Sequence, residues 1–129
     1  AGQSNDKNLL TKIDQYKNIS FISIEDEPQL LELFHRAHVN VLFSFNNSGV
    51  KLKLINALFQ SRYVIANHRV LEGSSLSSIC IIADDKKEIM LQVLKTIEKD
   101  FSEEEIAFRK EKLHIYDNLK NAEILLDLF

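Results

Sequence analysis

Apolar residues along the chain are spaced with two alternating periods, one helical and one typical of strands. Helical spacing predicts helices in segments 9–16, 28–37, 50–61 and 89–97, and a long terminal helix from 103 to about 128. Short β-branched or aromatic runs predict strands at 19–22, 39–45, 63–66 and 79–83. Continuous apolar strands that alternate with helices are typical of a parallel sheet with both faces covered. The pattern therefore predicts an α/β fold with about four parallel strands and helices on both faces.

Acidic clusters in the sequence stand where predicted helices begin. Glu25-Asp26-Glu27 precedes Pro28, a residue favoured at the first helical position. Asp84-Asp85 precedes another predicted helix, and Glu103-Glu104-Glu105 follows Ser102 in a capping-box pattern. Carboxylates at these places accept backbone hydrogen bonds and complement the helix dipole. We interpret all three clusters as helix starts rather than as paired catalytic carboxylates.

Length and charge narrow the class of protein. The chain has 129 residues, 16 basic and 19 acidic, and a net charge of −3, which indicates one globular domain. Nucleic-acid binding is not expected, because phosphate recognition is normally accompanied by a basic surface. The longest apolar runs are far shorter than the roughly 20 residues that span a bilayer. The first residues have neither the basic start nor the apolar stretch of a signal peptide, so a cytoplasmic location is expected.

Reactive or metal-binding side chains are sparse. The single cysteine, Cys80, lies in the apolar run 79–82 and is interpreted as a small buried hydrophobic residue rather than a reactive thiol. His35 and His38 are three residues apart, but no third ligand accompanies them, so no metal site is predicted. No glycine-rich phosphate fingerprint or nucleophile elbow occurs.

The most informative segment is the loop and helix after the predicted strand 39–45. In parallel sheets, ligands bind beyond the carboxyl ends of the strands, which here are the loops 23–27, 45–49 and 67–75. Lys51 and Lys53 lie in or near the first turn of the helix after Gly49, where cations oppose the helix dipole. Lys53, Asn56 and Gln60 share one face by their spacing. An anionic ligand would explain this arrangement, and so would an ordinary solvated edge with two surface lysines.

Five segments, in chain order, carry a family resemblance. The longest are Ala37-His38-Val39-Asn40-Val41-Leu42-Phe43-Ser44, Ser48-Gly49-Val50-Lys51-Leu52-Lys53-Leu54-Ile55-Asn56-Ala57-Leu58 and Tyr63-Val64-Ile65-Ala66-Asn67. Together with Asn18-Ile19-Ser20-Phe21-Ile22 and Gln29-Leu30-Leu31-Glu32-Leu33-Phe34, they resemble the donor-binding domain of GT-B-fold retaining glycosyltransferases. That family has an "A-D-V-x-V-x-P-S" strand, a "G-x-x-x-K-x-x-E-A-x" helix and a "P-V-I-A" strand. The resemblance covers about residues 1 to 100 and implies a Rossmann-like sheet.

The resemblance also implies roles for individual residues. Ser48 and Asn56 stand where the family has two glutamates, so Ser48 would contact the donor sugar and Asn56 the ribose. Gly49, Val50 and Lys51 match the loop that cradles the donor phosphates, and Lys53 matches a lysine of one family branch. Ser23 and Ile24 match the turn that clasps the base through backbone groups.

By this resemblance the chain is the donor-binding part of a metal-independent, retaining glycosyltransferase that needs no cofactor. Its substrate would be a nucleotide diphosphate sugar, and the sugar would pass to an acceptor hydroxyl in glycan or polysaccharide synthesis. Ala1-Gly2 matches the end of a family strand. We therefore expect a sheet truncated at its N-terminus and an acceptor domain upstream, which is where any peripheral membrane contact would arise. The chain alone is expected to be inactive.

Two alternatives remain open on the sequence. Because both family glutamates are absent, the chain could be a non-catalytic α/β interaction or regulatory module. A small phosphoacceptor-type signalling domain is disfavoured, because no acidic pocket follows the first predicted strand.

Overall fold

The computed structural model describes residues 6–45 and 51–118, which form helices and a small parallel sheet. The chain divides into two compact units, Ala1–Leu33 and Phe34–Phe129. The helices are α1 (Lys7–Asp14), α2 (Glu27–Arg36), α3 (Leu52–Gln60), α4 (His68–Leu71), α5 (Lys86–Thr96) and α6 (Glu103–Leu113). The strands are β1 (Val39–Leu42), β2 (Tyr63–Ala66) and β3 (Ile81–Ile82), and 3₁₀ turns occupy Ser77–Ile79 and His114–Tyr116.

The sheet is parallel, in the order β1-β2-β3. Val39 pairs with Tyr63 at one end of the β1–β2 ladder and Leu42 with Ala66 at the other. Two pairs, Ile65 with Ile81 and Ala66 with Ile82, join β2 to β3. This topology confirms the predicted parallel neighbours within 39–45 and 63–66, joined by a helix as a parallel crossover requires.

The core of the second unit is built around the central strand. All four residues of β2 are buried, although successive side chains point to opposite faces, so both faces of this strand are covered. Three α3 residues, Leu54, Ala57 and Leu58, are buried as well. An α/β fold with a covered central strand is therefore present, as the sequence predicts.

The predicted helix starts are confirmed. Asp26 Oδ1 accepts a hydrogen bond from the backbone of Gln29 (2.8 Å) at the start of α2. Asp85 caps α5 by accepting from the backbone of Lys87 and Glu88. The capping box of Ser102 and Glu105 is complete in both directions at the start of α6. These acidic residues thus satisfy backbone donors that the first helical turn leaves unpaired.

The sheet is smaller than predicted. Segment 19–22 forms no strand, and Ile19 and Ile22 are exposed, because its apolar residues do not follow the strict alternation of a half-buried strand. The described sheet therefore has three strands rather than about four. Only Ile81–Ile82 of the predicted strand 79–83 pairs with β2, because Ser77–Ile79 form a 3₁₀ turn.

The terminal helix is also shorter than predicted. It ends at Leu113, where the chain enters a 3₁₀ turn rather than continuing to about 128. His114 Nδ1 donates to the carbonyl oxygen of Glu111 (2.6 Å), a side-chain contact of the kind that satisfies the last carbonyls of a helix. Residues 119–129 lie outside the described part.

Burial of α3 and α5 differs from the sequence-based interpretation. Apolar residues on most sides of α3 predict near-complete burial, but Leu52 is 76% exposed and Phe59 47% exposed. On α5, helical spacing predicts one apolar face, formed by Ile89, Met90, Val93, Leu94 and Ile97. Met90 and Leu94 of this face are exposed. Apolar periodicity identifies a helix but does not show which apolar side chains find a partner.

Candidate functional site

The carboxyl ends of the three strands lead into connections that are joined to one another by hydrogen bonds. Segment 43–45 follows β1, segment 67–69 follows β2, and segment 83–85 follows β3. This edge is where ligands bind in open parallel sheets. Side chains of the central segment, 67–69, contact both of its neighbours. We call the residues of these three segments, together with the start of α3 (residues 51–53), which follows β1, the carboxyl edge.

The side chain of Asn67 continues the hydrogen bonding between β1 and β2 beyond the last strand residues. It is buried, its Oδ1 accepts from the backbone N–H of Ser44 (3.1 Å), and its Nδ2 donates to the carbonyl oxygen of Ser44 (2.8 Å). The amide group of a side chain thus replaces the peptide group that a longer β2 would supply. This contact holds the chain after β1 in place while β2 already turns into α4.

Arg69 lies next along the same segment and holds the end of the β1 connection. Its Nη1 donates to the carbonyl oxygen of Phe45, the last described residue before 51. The Arg69 side chain is therefore fixed beside the point where the chain enters segment 46–50. An exposed guanidinium there adds positive charge to the carboxyl edge.

His68 and Asp84 form an exposed pair between the β2 and β3 connections. Asp84 Oδ1 accepts from the backbone N–H of His68 (2.8 Å), and Asp84 Oδ2 accepts from His68 Nδ1. These hydrogen bonds, first the backbone one, lower the pKa of Asp84 below its ordinary value. The backbone N–H of Asp84 in turn donates to Glu88 of α5 (2.7 Å).

The role of Asp84 corrects the sequence interpretation. Asp85 alone provides the side-chain cap of α5, whereas Asp84 binds His68, sixteen residues away in the chain. Sequence reasoning missed His68 and Arg69 as candidates as well. The available signal was their position in loop 67–75, one of the three loops at the carboxyl ends of strands. There a histidine and an arginine follow directly after a buried strand and Asn67.

Three predicted donor-site residues lie on or beside α3. Lys51 stands at the N-cap position without a side-chain cap, and its carbonyl oxygen accepts from the backbone of Leu54 (2.8 Å). Lys53 is exposed in the first turn, which contains no acidic residue. Asn56 is half-buried one turn further on, on the face that it shares with Lys53. The predicted position of two lysines at this helix start is confirmed.

The other predicted donor-site residues stay predictions. Ser48, Gly49 and Val50 lie outside the described residues. Ser23, exposed, and Ile24, half-buried, belong to the first compact unit, whereas α3 and the carboxyl edge belong to the second.

A cavity lies at the opposite edge of the sheet, beside the start of β2. It has a volume of about 720 Å³ and is lined by the end of α3, the residues before β2, and α6. Arg109 lies buried in its wall, where Nη1 donates to the carbonyl oxygen of Ser61 (2.6 Å) and the guanidinium stacks 4.5 Å from the ring centre of Phe101. Burial lowers the pKa of Arg109. Its partners are a backbone carbonyl and an aromatic ring, so this arginine stabilises the packing of α6 against α3.

Two further candidate side chains from the sequence, His38 and Cys80, are half-buried. His38 Nε2 hydrogen-bonds the carbonyl oxygen of Thr96 (2.9 Å), and its ring lies edge-on to Tyr63. Burial raises the pKa of Cys80 to about 11, so its half-buried thiol stays protonated at neutral pH. Within residues 6–45 and 51–118, no group of three or more histidine, cysteine or acidic side chains could hold a metal ion.

Comparison with family models, curated proteins and solved structures finds no match. None of the helices in the described part of the chain is both long and apolar enough to cross a membrane.

Proposed function

We propose that the chain binds the diphosphate of a nucleotide sugar at its carboxyl edge, as the donor-binding part of a longer, retaining glycosyltransferase in the cytoplasm. The observation that carries the proposal is the pair Lys51 and Lys53 at the start of α3, which follows β1 and leads into the central strand β2. Two cations at a helix start with no acidic residue oppose the helix dipole. The negative charge of a bound anion would offset this unfavourable interaction of the two lysines with the helix dipole.

The charge distribution around the edge supports an anionic ligand. Lys53 forms no hydrogen bond or ion pair with any described residue, and it is exposed. Arg69 adds a third cation from the neighbouring connection. Charge-assisted hydrogen bonds from such groups to phosphate oxygens are the strong polar contacts of phosphate sites.

The chemistry proposed for these residues is electrostatic. Positive charge at the carboxyl edge stabilises the negative charge that develops on the diphosphate as the sugar leaves for an acceptor hydroxyl. Asn56 has the donor and acceptor atoms to hold a ribose hydroxyl, the role that the family resemblance gives to its position. The acceptor and the rest of the catalytic centre would come from the acceptor domain expected upstream.

A calorimetric titration of uridine and guanosine diphosphate tests the proposal on the wild-type chain and on Lys53→Gln. Loss of one charge-assisted phosphate contact should weaken binding by roughly 1.5–3 kcal/mol. The same substitution should leave thermal stability equal or slightly higher, because a cation is removed from the positive end of the helix dipole.

Lys95→Gln is the matched control. Lys95 is an exposed lysine in the last turn of α5, where a cation is favourable, so its loss should leave nucleotide binding unchanged. Equal affinities of the wild type and Lys53→Gln would contradict the proposed role of Lys53. Absence of any nucleotide binding would contradict donor binding by this chain and favour the non-catalytic module.

A further inference from the structure

Two exposed aromatic rings lie side by side on the connection after β1. Phe43 is 42% exposed and Phe45 is 81% exposed, and their ring centres are 5.2 Å apart in an edge-to-face arrangement. Large apolar side chains that are exposed together, rather than singly, are typical of binding surfaces. We call Phe43 and Phe45 the aromatic pair.

The backbone that carries the aromatic pair is fixed by hydrogen bonds. Asn67 binds both backbone groups of Ser44, the residue between the two rings, and Arg69 donates to the carbonyl oxygen of Phe45. Both anchoring side chains come from the connection after β2. Because the surface is already held in place, a ligand that binds there has little backbone freedom to remove, and this preorganisation favours binding.

Arg69 also brings positive charge next to the aromatic pair. Its Nη1 binds the Phe45 carbonyl oxygen, whereas Nε and Nη2 have no partner among the described residues, and the side chain is exposed. Because Nη1 is hydrogen-bonded to the backbone of Phe45, covalent geometry keeps it within roughly 10 Å of the Phe45 ring. The guanidinium therefore keeps donors with which it can bind an anion beside a flat apolar surface.

We propose that the base of the nucleotide ligand stacks on the ring of Phe45 while the open nitrogens of Arg69 bind its phosphate oxygens. This inference rests on the proposed function and names the part of the ligand that the carboxyl edge recognises besides the diphosphate. A nucleotide joins a planar base to a charged phosphate through a single ribose. An exposed ring with a cation at its backbone complements both ends of such a molecule.

Stacking differs from the base contact that the family resemblance implies. Backbone groups at Ser23 and Ile24 would contact a base by hydrogen bonds along its edge, whereas an aromatic ring contacts its face. Stacking tolerates different bases, because every base has a π-face. Both a pyrimidine and a purine nucleotide are therefore expected to use the Phe45 ring, and inorganic pyrophosphate, which has no base, is not.

The experiment compares ligands with and without a base. Uridine diphosphate, guanosine diphosphate and inorganic pyrophosphate are titrated calorimetrically into the wild-type chain, Phe45→Ala and Phe45→Trp. Phe45→Ala should weaken binding of both nucleotides about tenfold and leave pyrophosphate binding unchanged, because only the stacking contact is lost. Phe45→Trp keeps an aromatic face and should bind the nucleotides at least as tightly as the wild type.

A spectroscopic measurement detects the stacking itself. Protons that lie over the face of an aromatic ring are shielded, so the base protons of uridine diphosphate should shift upfield in NMR spectra when the wild-type chain is added. The upfield shift should be absent with Phe45→Ala.

Phe108→Ala is the matched control, because Phe108 is a phenylalanine with 44% exposure in α6, a helix that binds the residues before β2 through Arg109. It should bind all three ligands as the wild type does. Equal nucleotide affinities of the wild type and Phe45→Ala would overturn this inference and leave the proposed function standing. Losses in Phe45→Ala that are equal for nucleotides and pyrophosphate would overturn it too, and so would a loss in Phe45→Trp as large as in Phe45→Ala. Absence of binding of all three ligands by the wild-type chain would overturn the proposed function itself.

Discussion

At the scale of single residues, buried polar side chains replace backbone partners that the short sheet cannot supply. Asn67 pairs with both backbone groups of Ser44, and Arg109 pairs with the carbonyl oxygen of Ser61. Both side chains are buried, so the backbone groups that they satisfy would otherwise lose hydrogen bonds away from water. Although both side chains are polar, burying them therefore stabilises the fold, because they keep the backbone at Ser44 and Ser61 hydrogen-bonded.

Asn67→Ala should destabilise the protein by about 1–3 kcal/mol, because it leaves both backbone groups of Ser44 without their side-chain partner. The free energy of unfolding in urea measures the effect. Asn40→Ala is the control, since the Asn40 side chain donates to Phe34 at 3.5 Å, the outer limit of a hydrogen bond. Asn40→Ala should lower the free energy of unfolding clearly less than Asn67→Ala does. Equal losses of stability in the two variants would contradict the prediction that the two hydrogen bonds of Asn67 stabilise the fold more than the single long one of Asn40.

At the scale of secondary-structure elements, the start of α6 gathers several partners on one carboxylate. Glu105 Oε2 accepts from the backbone of Ser102 (3.0 Å) and lies 3.1 Å from the Tyr63 hydroxyl, while Oε1 accepts from Lys99 (2.7 Å). Burial raises the pKa of Glu105, but the hydrogen bonds from Lys99, Ser102 and Tyr63 outweigh it, and the pKa is lowered overall. The charged form is therefore the one that the fold stabilises.

Glu105→Gln should lower stability at neutral pH by up to about 1 kcal/mol. The glutamine keeps the capping-box acceptor but loses the charge that pairs with Lys99. Because the folded-state pKa of Glu105 lies below its unfolded value, the wild-type advantage is present above pH 4.5, the ordinary value for this group, and is lost as the pH falls through the folded-state pKa. Urea unfolding from pH 7 downward measures this convergence.

Glu104→Gln is the control variant for the urea unfolding of Glu105→Gln at different pH values. Glu104 lies in the same first turn of α6 and is exposed, so any general benefit of negative charge at the helix start is common to both variants. A difference between wild type and Glu105→Gln that persists unchanged at acid pH would contradict the role of the ionised carboxylate.

At the scale of the whole molecule, the sequence predicts most elements but little of their contacts. Strand 63–66 is predicted correctly because four consecutive apolar residues between polar neighbours have few alternatives. The predicted strand 39–45 is three residues too long, because Phe43, Ser44 and Phe45 continue its pattern, but the backbone of Ser44 pairs with the side chain of Asn67 instead of with another strand. Such pairing depends on residues more than twenty positions apart, and local pattern does not contain it.

In the candidate site, too, local features were predicted from the sequence and contacts between distant residues were not. Lys51 and Lys53 were predicted at a helix start, since spacing and charge are local properties. The His68–Asp84 pair was missed, because it joins two connections that only the sheet brings together. The position of Asp84-Asp85 before a helix predicts a capping role for the pair, but only Asp85 is the N-cap.

The exposed apolar face of α5 gives a prediction for the molecule as a whole. Leu94 is 66% exposed, whereas Leu58 on α3 is fully buried, so the same substitution should have very different effects. Leu58→Ala should cost about 2–5 kcal/mol, while Leu94→Ala should stay within about 0.5 kcal/mol of wild type. Urea unfolding of both variants checks the difference. A large loss for Leu94→Ala would show that this face is buried against a partner in solution.

The contacts of Asn67 and Arg69 also restrict how this protein can be engineered or can diverge. Loops of parallel α/β folds are often treated as parts that can be exchanged one at a time. Here the connection after β1 is anchored by two side chains of the connection after β2. A loop grafted after β1 would arrive without its anchors, or with anchors that no longer fit its length. The two connections form one transferable part, and a successful graft of either must bring the other with it.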